Sequence, residues 1–490
     1  LSKVFNKIIH YRYKQDKAKD DFEELNGEIE AINEKISQKI TTSHDQSIND
    51  VLSKIESSDR LGVKLTSDLT FDKLMNNLVK YEYTEQGLQI PEGQFGLGYS
   101  NLMSIIGEII DYVERYPQED EQSKINLICI EEPETHMHPQ MQELFIKYIN
   151  DAITYLIDNS QKKLNSQLII TTHSSHILHS KIHSSNSFDN INYITNINNN
   201  AEVVRLNDHA VSSVEVYVES EYETEVQFNK RKLDDLKFLK KHIKYKVSEL
   251  FFSDAVIFVE GLTEETLLPF YIDNHPDLKR YYISVFNING AHGQVYHPLI
   301  KLLKIPSLII TDLDIKRLDS EKFTLDDDNK KTEIFTQISN LNNRVSTNTT
   351  IHKFNGTTSD GLNRYIESDN LFGVFQKEPI NEYYATSFEE AFILTNSDNT
   401  ILNKALKKVK KNIYNDIVGS DPVDLTQLIE HSYKLQNKLS ASKSDFANTL
   451  LYEMIINDSD AVPKLPSYIA DGFDWLKDKI IETLKSEGAK

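Results

Sequence analysis

The chain has 490 residues, 39% of them hydrophobic, enough to fill the cores of two or three domains. Its net charge of −21 argues against a generally basic nucleic-acid binder, while leaving room for a local basic groove. One cysteine excludes internal disulfides and multi-Cys zinc fingers, and no run of eighteen apolar residues is present to span a membrane, so a cytoplasmic setting is expected.

From Val4 to Ile40 the pattern is helical, with Phe22, Leu25, Ile29, Ile32, Ile36 and Ile40 stepping by three or four residues. A dimer seam and a helix packed on its own domain both fit this spacing. Residues 41–50 read as a loop. Gly93-Gln-Phe-Gly96-Leu-Gly98-Tyr-Ser100-Asn101 is a glycine-rich entry into a helix expected from Leu102 to Tyr112. Such an entry offers backbone N–H groups to an anion. Ile125 to Ile130 is an apolar strand in which Cys129 is expected as a packed core residue. It ends in Glu131-Glu132, followed by Pro133, Glu134 and a His136-Met-His138-Pro139 turn. Gln167 to Thr172 is a second apolar strand, ending at His173. A lone strand-end histidine is usually an ordinary hydrogen-bonded residue. The order strand, acid pair, helix, strand, histidine favours a nucleotide site.

Two short strands, Asn192–Ile197 and Glu202–Leu206, flank the turn Asn198-Asn-Asn200. The acid-rich stretch 215–225 reads as a solvated connection. Lys230 to Glu249 is Lys-rich and helical, suited either to a phosphate backbone or to a solvated linker.

Ala255 to Val259 is an unbroken apolar run, read as a buried strand that delivers Glu260 at its C-terminal end. Gly261 allows a tight exit, and Thr263-Glu264-Glu265 opens a helix, so Glu264 falls in the first turn near Glu260. Tyr282–Ile288 is a further strand, Asn289–Gly293 its turn, and His297–Leu303 a helix. Ser307-Leu-Ile-Ile-Thr-Asp312-Leu-Asp314 is another buried strand, and alternation along it sets Asp312 and Asp314 on one side. In an α/β sheet the C-terminal strand ends share one edge. Four carboxylates then crowd one volume, which suits Mg²⁺ or Mn²⁺. Residues 319–331 are expected as a mobile loop, and Thr350–Phe354 as a further strand. The tail from Phe473 to Ile481 is amphipathic.

The pairing of Glu260-Gly261-x-x-Glu264 with Asp312-x-Asp314 resembles the Toprim domain, and Glu131-Glu132-Pro133-Glu134 with His173 resembles the Walker B and switch segments of ABC-type ATPases. Together they resemble the OLD (overcoming lysogenization defect) family of ATP-linked endonucleases, whose members include the nucleases of Gabija and retron anti-phage systems. The resemblance implies an α/β chain: an ABC-type ATPase lobe with a helical dimerisation insert, then a Toprim domain with a mostly parallel sheet and a helical C-terminal part. The implied limits are 1–60 for the insert, 61–215 for the C-terminal part of the ATPase, 216–250 for a linker helix region and 251–490 for the nuclease.

By the same resemblance, Glu131 supports the Mg²⁺ shell, Glu132 polarises the attacking water, and His173 senses the γ-phosphate. Gly96 and Gly98 take the place of the signature loop, with Phe95-Gly96-Leu97-Gly98-Tyr99 in place of Leu-Ser-Gly-Gly-Gln. Glu260, Glu264, Asp312 and Asp314 hold the metals of phosphodiester cleavage, joined by Glu389 or Glu390, and Lys443 balances charge on the phosphate. No Gly is followed by Lys anywhere in the chain, so no P-loop is present. The family carries that loop in an N-terminal lobe, expected to precede this chain, and the ATP site is incomplete without it. DNA is the implied substrate, and a homodimer or higher homo-oligomer the implied assembly, with a defence-system protein or a retron RNA–DNA as possible partner. The alternative reading is an SMC/RecF-like ATPase clamp in DNA repair with a non-cleaving Toprim domain. A topoisomerase needs a tyrosine on a DNA-binding helical domain that is not evident, and a primase usually needs a zinc finger that one cysteine cannot build.

Overall fold

The computed structural model describes residues 2–13, 19–42, 49–51, 54, 64–77, 82–85, 88–94, 96–116, 125–160, 162, 164–197, 200–217, 224–243, 248–290, 292–325, 331–419, 422–457 and 461–484. The chain divides into two compact units, Leu1–Ser184 and Ser185–Lys490. Residues 43–48 of the loop expected at 41–50, Phe95, the turn residues Asn198 and Asn199, and residues 218–223 and 326–330 lie outside the described residues.

The first unit opens with helices α1 (Ser2–Tyr13) and α2 (Lys19–Ile40), followed by α3 (Phe71–Asn77) and a hairpin of β1 (Glu82–Glu85) and β2 (Leu88–Pro91). Part of α2 packs on its own unit. Ile29 is buried, Phe22 meets Phe71 edge-on at 5.1 Å, and Asn33 Oδ1 accepts from Leu69 N at 2.8 Å. Ile32 and Ile36, one and two turns further on, stay exposed. The apolar stripe is thus used for intramolecular packing at one end and left open at the other.

Helix α4 (Leu97–Arg115) and helix α5 (Pro139–Ser160) pack on one face of a parallel pair, β3 (Asn126–Glu131) and β4 (Ser166–Thr171), with α6 (Ser175–Ser185) after it. Ile109, Val113, Ile130, Phe145, Ile149 and Ile153 form the core there. Alternation along β3 decides which side chains join it. Ile130 is buried, but Leu127 and Cys129 point to the other face. Cys129 is therefore exposed and not the core residue its apolar neighbours suggest.

In the second unit β5 (Ile191–Ile197) and β6 (Asn200–Leu206) form the expected antiparallel hairpin. Helix α7 (Asp208–Ser213) follows, then α8 (Glu225–His242), capped by a reciprocal Thr224–Gln227 box. Glu215, the first acid of the stretch expected to be solvated, is instead engaged: it pairs with Arg231 at 3.3 Å and also with Lys353.

The main sheet has five strands in the order β12–β13–β9–β7–β8: β7 (Ala255–Val259), β8 (Ile283–Asn287), β9 (Ser307–Ile310), β12 (Ile366–Ser368) and β13 (Leu371–Val374). All neighbouring pairs are parallel except the antiparallel β12 edge. β7 is buried throughout because both faces are covered. Ala255, Ile257 and Val259 face a helical core containing Leu267, Phe388 and Leu476. On the alternate side, Phe258 packs at 4.8 Å on Tyr296 of helix α10 (Gly293–Leu303). Helix α9 (Leu262–Asn274) joins β7 to β8, and α10 carries the chain back past β7 to β9.

Two expectations fail here. Residues 349–355 form helix α11 (Thr349–Asn355), not a strand, because the Asn348 side chain caps Thr350 N at 3.0 Å and Ile351 N at 3.2 Å. The segment 319–331, expected as a mobile loop, departs from that at its described ends: Asp319–Lys322 is a helical turn, and β10 (Phe323–Leu325) pairs with β11 (Lys331–Glu333). Arg344 locks that turn through Glu321, with Nη1 to Oε2 at 2.9 Å. The C-terminal part is helical: α12 (Phe388–Thr395), α13 (Thr400–Val409), α14 (Lys443–Ile456) and α15 (Ser467–Leu484).

Candidate functional site

From β7 the chain crosses to β8 on one side, and the next strand, β9, lies on the other. The ends of β7 and β9 therefore border a crevice at a topological switch point, where α/β sheets bind ligands. Val259 pairs with Ile310, so the next residues, Glu260 and Thr311, stand level at its mouth. Gly261 is the N-cap of α9. Glu264 sits in the first turn, 2% exposed, with its carboxylate folded back over Gly261.

Asp312 and Asp314 come together for a reason other than strand alternation. β9 ends at Ile310, and Asp314 has φ 45°, so a turn brings the second acid round. From the helical side, α12 presents Glu389, 1% exposed, and α14 begins with Lys443. Lys443 Nζ lies 3.0 Å from Glu389 Oε1, which also accepts from Thr263 Oγ1 at 2.7 Å. Glu390, its neighbour, turns elsewhere. It accepts from Thr386 N at 2.7 Å and Thr386 Oγ1 at 2.9 Å, and the charge of Arg317 acts on it against the effect of burial. Of the two candidate acids, only Glu389 shares the crevice.

Two further side chains fix the carboxylates. Asn348 Nδ2 lies 2.9 Å from Glu260 Oε1, 2.8 Å from Thr311 Oγ1 and 2.9 Å from the Asp312 carbonyl. Gln376, 1% exposed, donates from Nε2 to Asp312 Oδ1 at 3.0 Å and accepts from Leu313 N at 2.8 Å. Phe388 N also donates to Asp312 Oδ1, at 2.9 Å. Asn348 and Gln376 are functional candidates that sequence reading missed. The only sequence signal was Asn348 standing where an N-cap would be.

Crowding shows in the protonation of the acids. Burial pushes Glu264 up to about 8, with Glu389 and Glu260 adding to it against the pull of Lys443. Burial, and then Glu264, Glu260, Glu389 and Asp314, hold Asp312 well above the ordinary carboxylate range. Burial raises Glu260 too, against the hydrogen bonds from Thr311 and Asn348. Burial alone would lower Lys443, but Glu389, Asp312 and Glu264 outweigh it and raise it. One ammonium cannot neutralise this many anions, so the site keeps protons unless another cation enters.

As these side chains stand, no three His, Cys, Asp or Glu among the described residues form a finished metal cage. Glu260 and Asp312 are held by their hydrogen-bond donors. The donor set nevertheless fits a hard divalent ion. Glu264 Oε2 and Glu389 Oε2 are both buried without a hydrogen-bond partner, a costly condition that an oxygen-seeking cation relieves.

The first unit holds the other predicted residues. Glu131 ends β3, and Glu132 follows with φ 43°. His173 Nε2 lies 3.5 Å from Glu132 Oε1, both side chains largely exposed. Glu134 Oε1 accepts from His173 N at 2.7 Å and so anchors the backbone carrying that histidine. Gly96 is the N-cap of α4 and Gly98 lies in its first turn; the helix begins five residues earlier than the sequence suggests. Gly98 is needed for close approach, since a Cβ there would meet the His136 carbonyl oxygen at 2.5 Å. Asn101 Nδ2 adds bonds to Pro133 O at 3.2 Å and Thr135 O at 3.1 Å. The glycine-rich entry and the acid-pair turn are thus one packed substructure.

Residues 1–178 match the family model of an AAA ATPase domain, and residues 251–314 that of the TOPRIM domain of overcoming lysogenization defect protein-like proteins. "Endonuclease GajA" of Bacillus cereus (strain HuB5-5) is 55% identical over 483 residues, covering 98% of this chain and 67% of that protein. Among solved structures, the C-terminal region of the Burkholderia pseudomallei OLD protein aligns over 47% of this chain and 99% of its own, at 18% identity and a TM-score of 0.26, too slight a likeness to carry an argument.

Proposed function

We infer the activity from the family to which the chain belongs, the OLD-type ATPase–Toprim endonucleases of the Gabija kind. It is an ATP-linked, divalent-metal-dependent DNA endonuclease acting in anti-phage defence. The observation that carries this reading is the convergence of Glu260, Glu264, Asp312, Asp314 and Glu389 with Lys443 around the switch-point crevice. A non-cleaving clamp has no use for so costly a cluster.

In the proposed reaction Glu260, Glu264, Asp312, Asp314 and Glu389 hold Mg²⁺ or Mn²⁺. When bound, such ions supply the positive charge that activates water and steadies the departing 3′-oxygen of DNA. Asn348 and Gln376 hold Glu260 and Asp312 in place, so less reorganisation is needed as DNA arrives. Lys443, 3.0 Å from Glu389 Oε1 at the same crevice, would be the ammonium at hand to balance charge on the phosphate. In the ATPase part Glu131 serves the Mg²⁺ of ATP, Glu132 orients the attacking water, and His173 reads the γ-phosphate, with Gly96 and Gly98 presenting backbone N–H groups.

By function we divide the chain into a helical insert (1–60), ATPase (61–215), linker (216–250) and nuclease (251–490). By packing, the β5–β6 hairpin belongs to the second compact unit. The protein works in the cytoplasm as a homodimer or higher oligomer, with a defence-system partner; no described helix is long and apolar enough to cross a membrane.

The test is nicking of supercoiled DNA by the full-length protein with Mg²⁺ or Mn²⁺, with and without ATP. Asp312→Ala should abolish it while thermal unfolding shows an intact fold. Full cleavage by that variant would reject the assignment.

A further inference from the structure

In a chain of net charge −21, with carboxylates lining its crevice, DNA must be drawn in by some local basic surface. Residues 399–415 carry Lys404, Lys407, Lys408, Lys410 and Lys411 and no acid. They span α13 and the start of the next helix, Lys411–Val418. α13 buries Ile401, Leu402, Ala405 and Leu406 against the core, which turns Lys404, Lys407 and Lys408 outward. Lys404 and Lys408 both pair with Glu453 of α14, at 2.6 and 2.5 Å. Glu453 is fully buried, so it pins two ammonium groups with one charge and leaves the face positive.

The lysine-rich helix α8 offers a contrast. Arg231 pairs with Glu215 and Asp235, Lys237 with Asp234, and Lys240 with Asp208. Its charges are largely spent inside the unit. Lys407, Lys410 and Lys411 form no ion pair among the described residues.

α14 links this face to the crevice, because it starts at Lys443 and carries Glu453 ten residues on. At the rise of an α-helix the two lie about 15 Å apart along the axis. That is a few phosphates along one strand of a duplex.

We propose that the Lys404–Lys411 face is the track on which the DNA duplex rests, binding its phosphate backbone a few nucleotides from the bond to be cut. This rests on the nuclease reading and extends it. The track reads no sequence, since lysines on phosphates supply affinity and register but no base contact.

The experiment uses the full-length protein and a fluorescent duplex, with anisotropy read from 50 to 200 mM salt in Ca²⁺, and nicking read in Mg²⁺ or Mn²⁺. The triple variant Lys407→Glu, Lys410→Glu, Lys411→Glu should bind at least ten-fold more weakly. Its plot of log affinity against log salt should be shallower by roughly three units, about 0.9 per lost phosphate contact. Lys230→Glu with Lys241→Glu on α8 is the control and should bind as the parent does. If the parent binds and cleaves DNA but the triple variant binds equally well, the track is refuted and the nuclease reading stands. Equal weakening by the α8 control refutes it as well. A changed oligomeric state with unchanged DNA affinity refutes it in favour of an acidic protein partner. A parent that neither binds nor cuts DNA ends both readings.

Discussion

The carboxylate of Glu264 rests on Gly261: a Cβ added to that glycine would meet Glu264 Oε2 at 2.5 Å. The glycine is there for proximity and not for backbone freedom, since its φ of −124° is open to any residue. Gly261→Ala should therefore fold normally yet push Glu264 off its place. We expect at least ten-fold weaker Mn²⁺ binding by calorimetry, about 1.4 kcal/mol, with a matching loss of nicking. Unchanged metal affinity would show that Glu264 tolerates the shift.

Protonation gives the second prediction. Glu264 is raised to about 8, so below that pH it holds a proton that a metal must displace. Metal affinity should climb with pH from 6 to 8, and calorimetry in buffers of different ionisation enthalpy should show proton release. Metal-free stability should run the other way. A folded-state pKa above the unfolded value stabilises fully below the unfolded value, near 4.3, and that contribution is lost as pH rises through about 8. The melting temperature in EDTA should thus fall between pH 5 and 8, and Mn²⁺ should restore it. A flat profile in EDTA would count against the buried acid cluster.

Glu389 and Glu390 are adjacent, yet they should behave differently. Glu389→Gln removes a crevice carboxylate and the partner of Lys443, so nicking should drop at least a hundred-fold with the fold retained. Glu390→Gln disturbs the Thr386 and Arg317 cluster behind the crevice. It should lower the melting temperature while Mn²⁺ affinity stays within a few-fold. The reverse pattern would mean the acids had been assigned the wrong way round.

Gln376→Glu is nearly isosteric but sets an acceptor against Asp312 Oδ1, where the amide now donates. We expect weaker metal binding at neutral pH and a nicking optimum moved to higher pH. Gln376→Leu, lacking both groups, should lose activity without that move. Identical pH profiles for the two variants would rule out the positioning role.

Much of the site was legible because its acids follow apolar runs. Ala255–Val259 and Ser307–Ile310 announced themselves as covered strands, and the residues just after them had to gather at one edge. Sequence could not choose between Glu389 and Glu390, because that choice depends on how α12 is rotated against α9 and α14. Nor could it pair Gln376 with Asp312, 64 positions away, since the contact arises from strand order. Thr350–Phe354 was misread because β-branched Thr and Ile suggest a strand, whereas the deciding residue, Asn348, stands just outside the segment. Cys129 was misread because a run of apolar residues says nothing about which of its two faces is covered.

That exposed sulfur has a practical use. Cys129 is the single cysteine of the chain and stands two residues before Glu131 on the same strand. Within these 490 residues a maleimide dye therefore has one thiol to attach to, without any engineered substitution. Its emission would follow events at the acid-pair turn in real time, separately from strand scission.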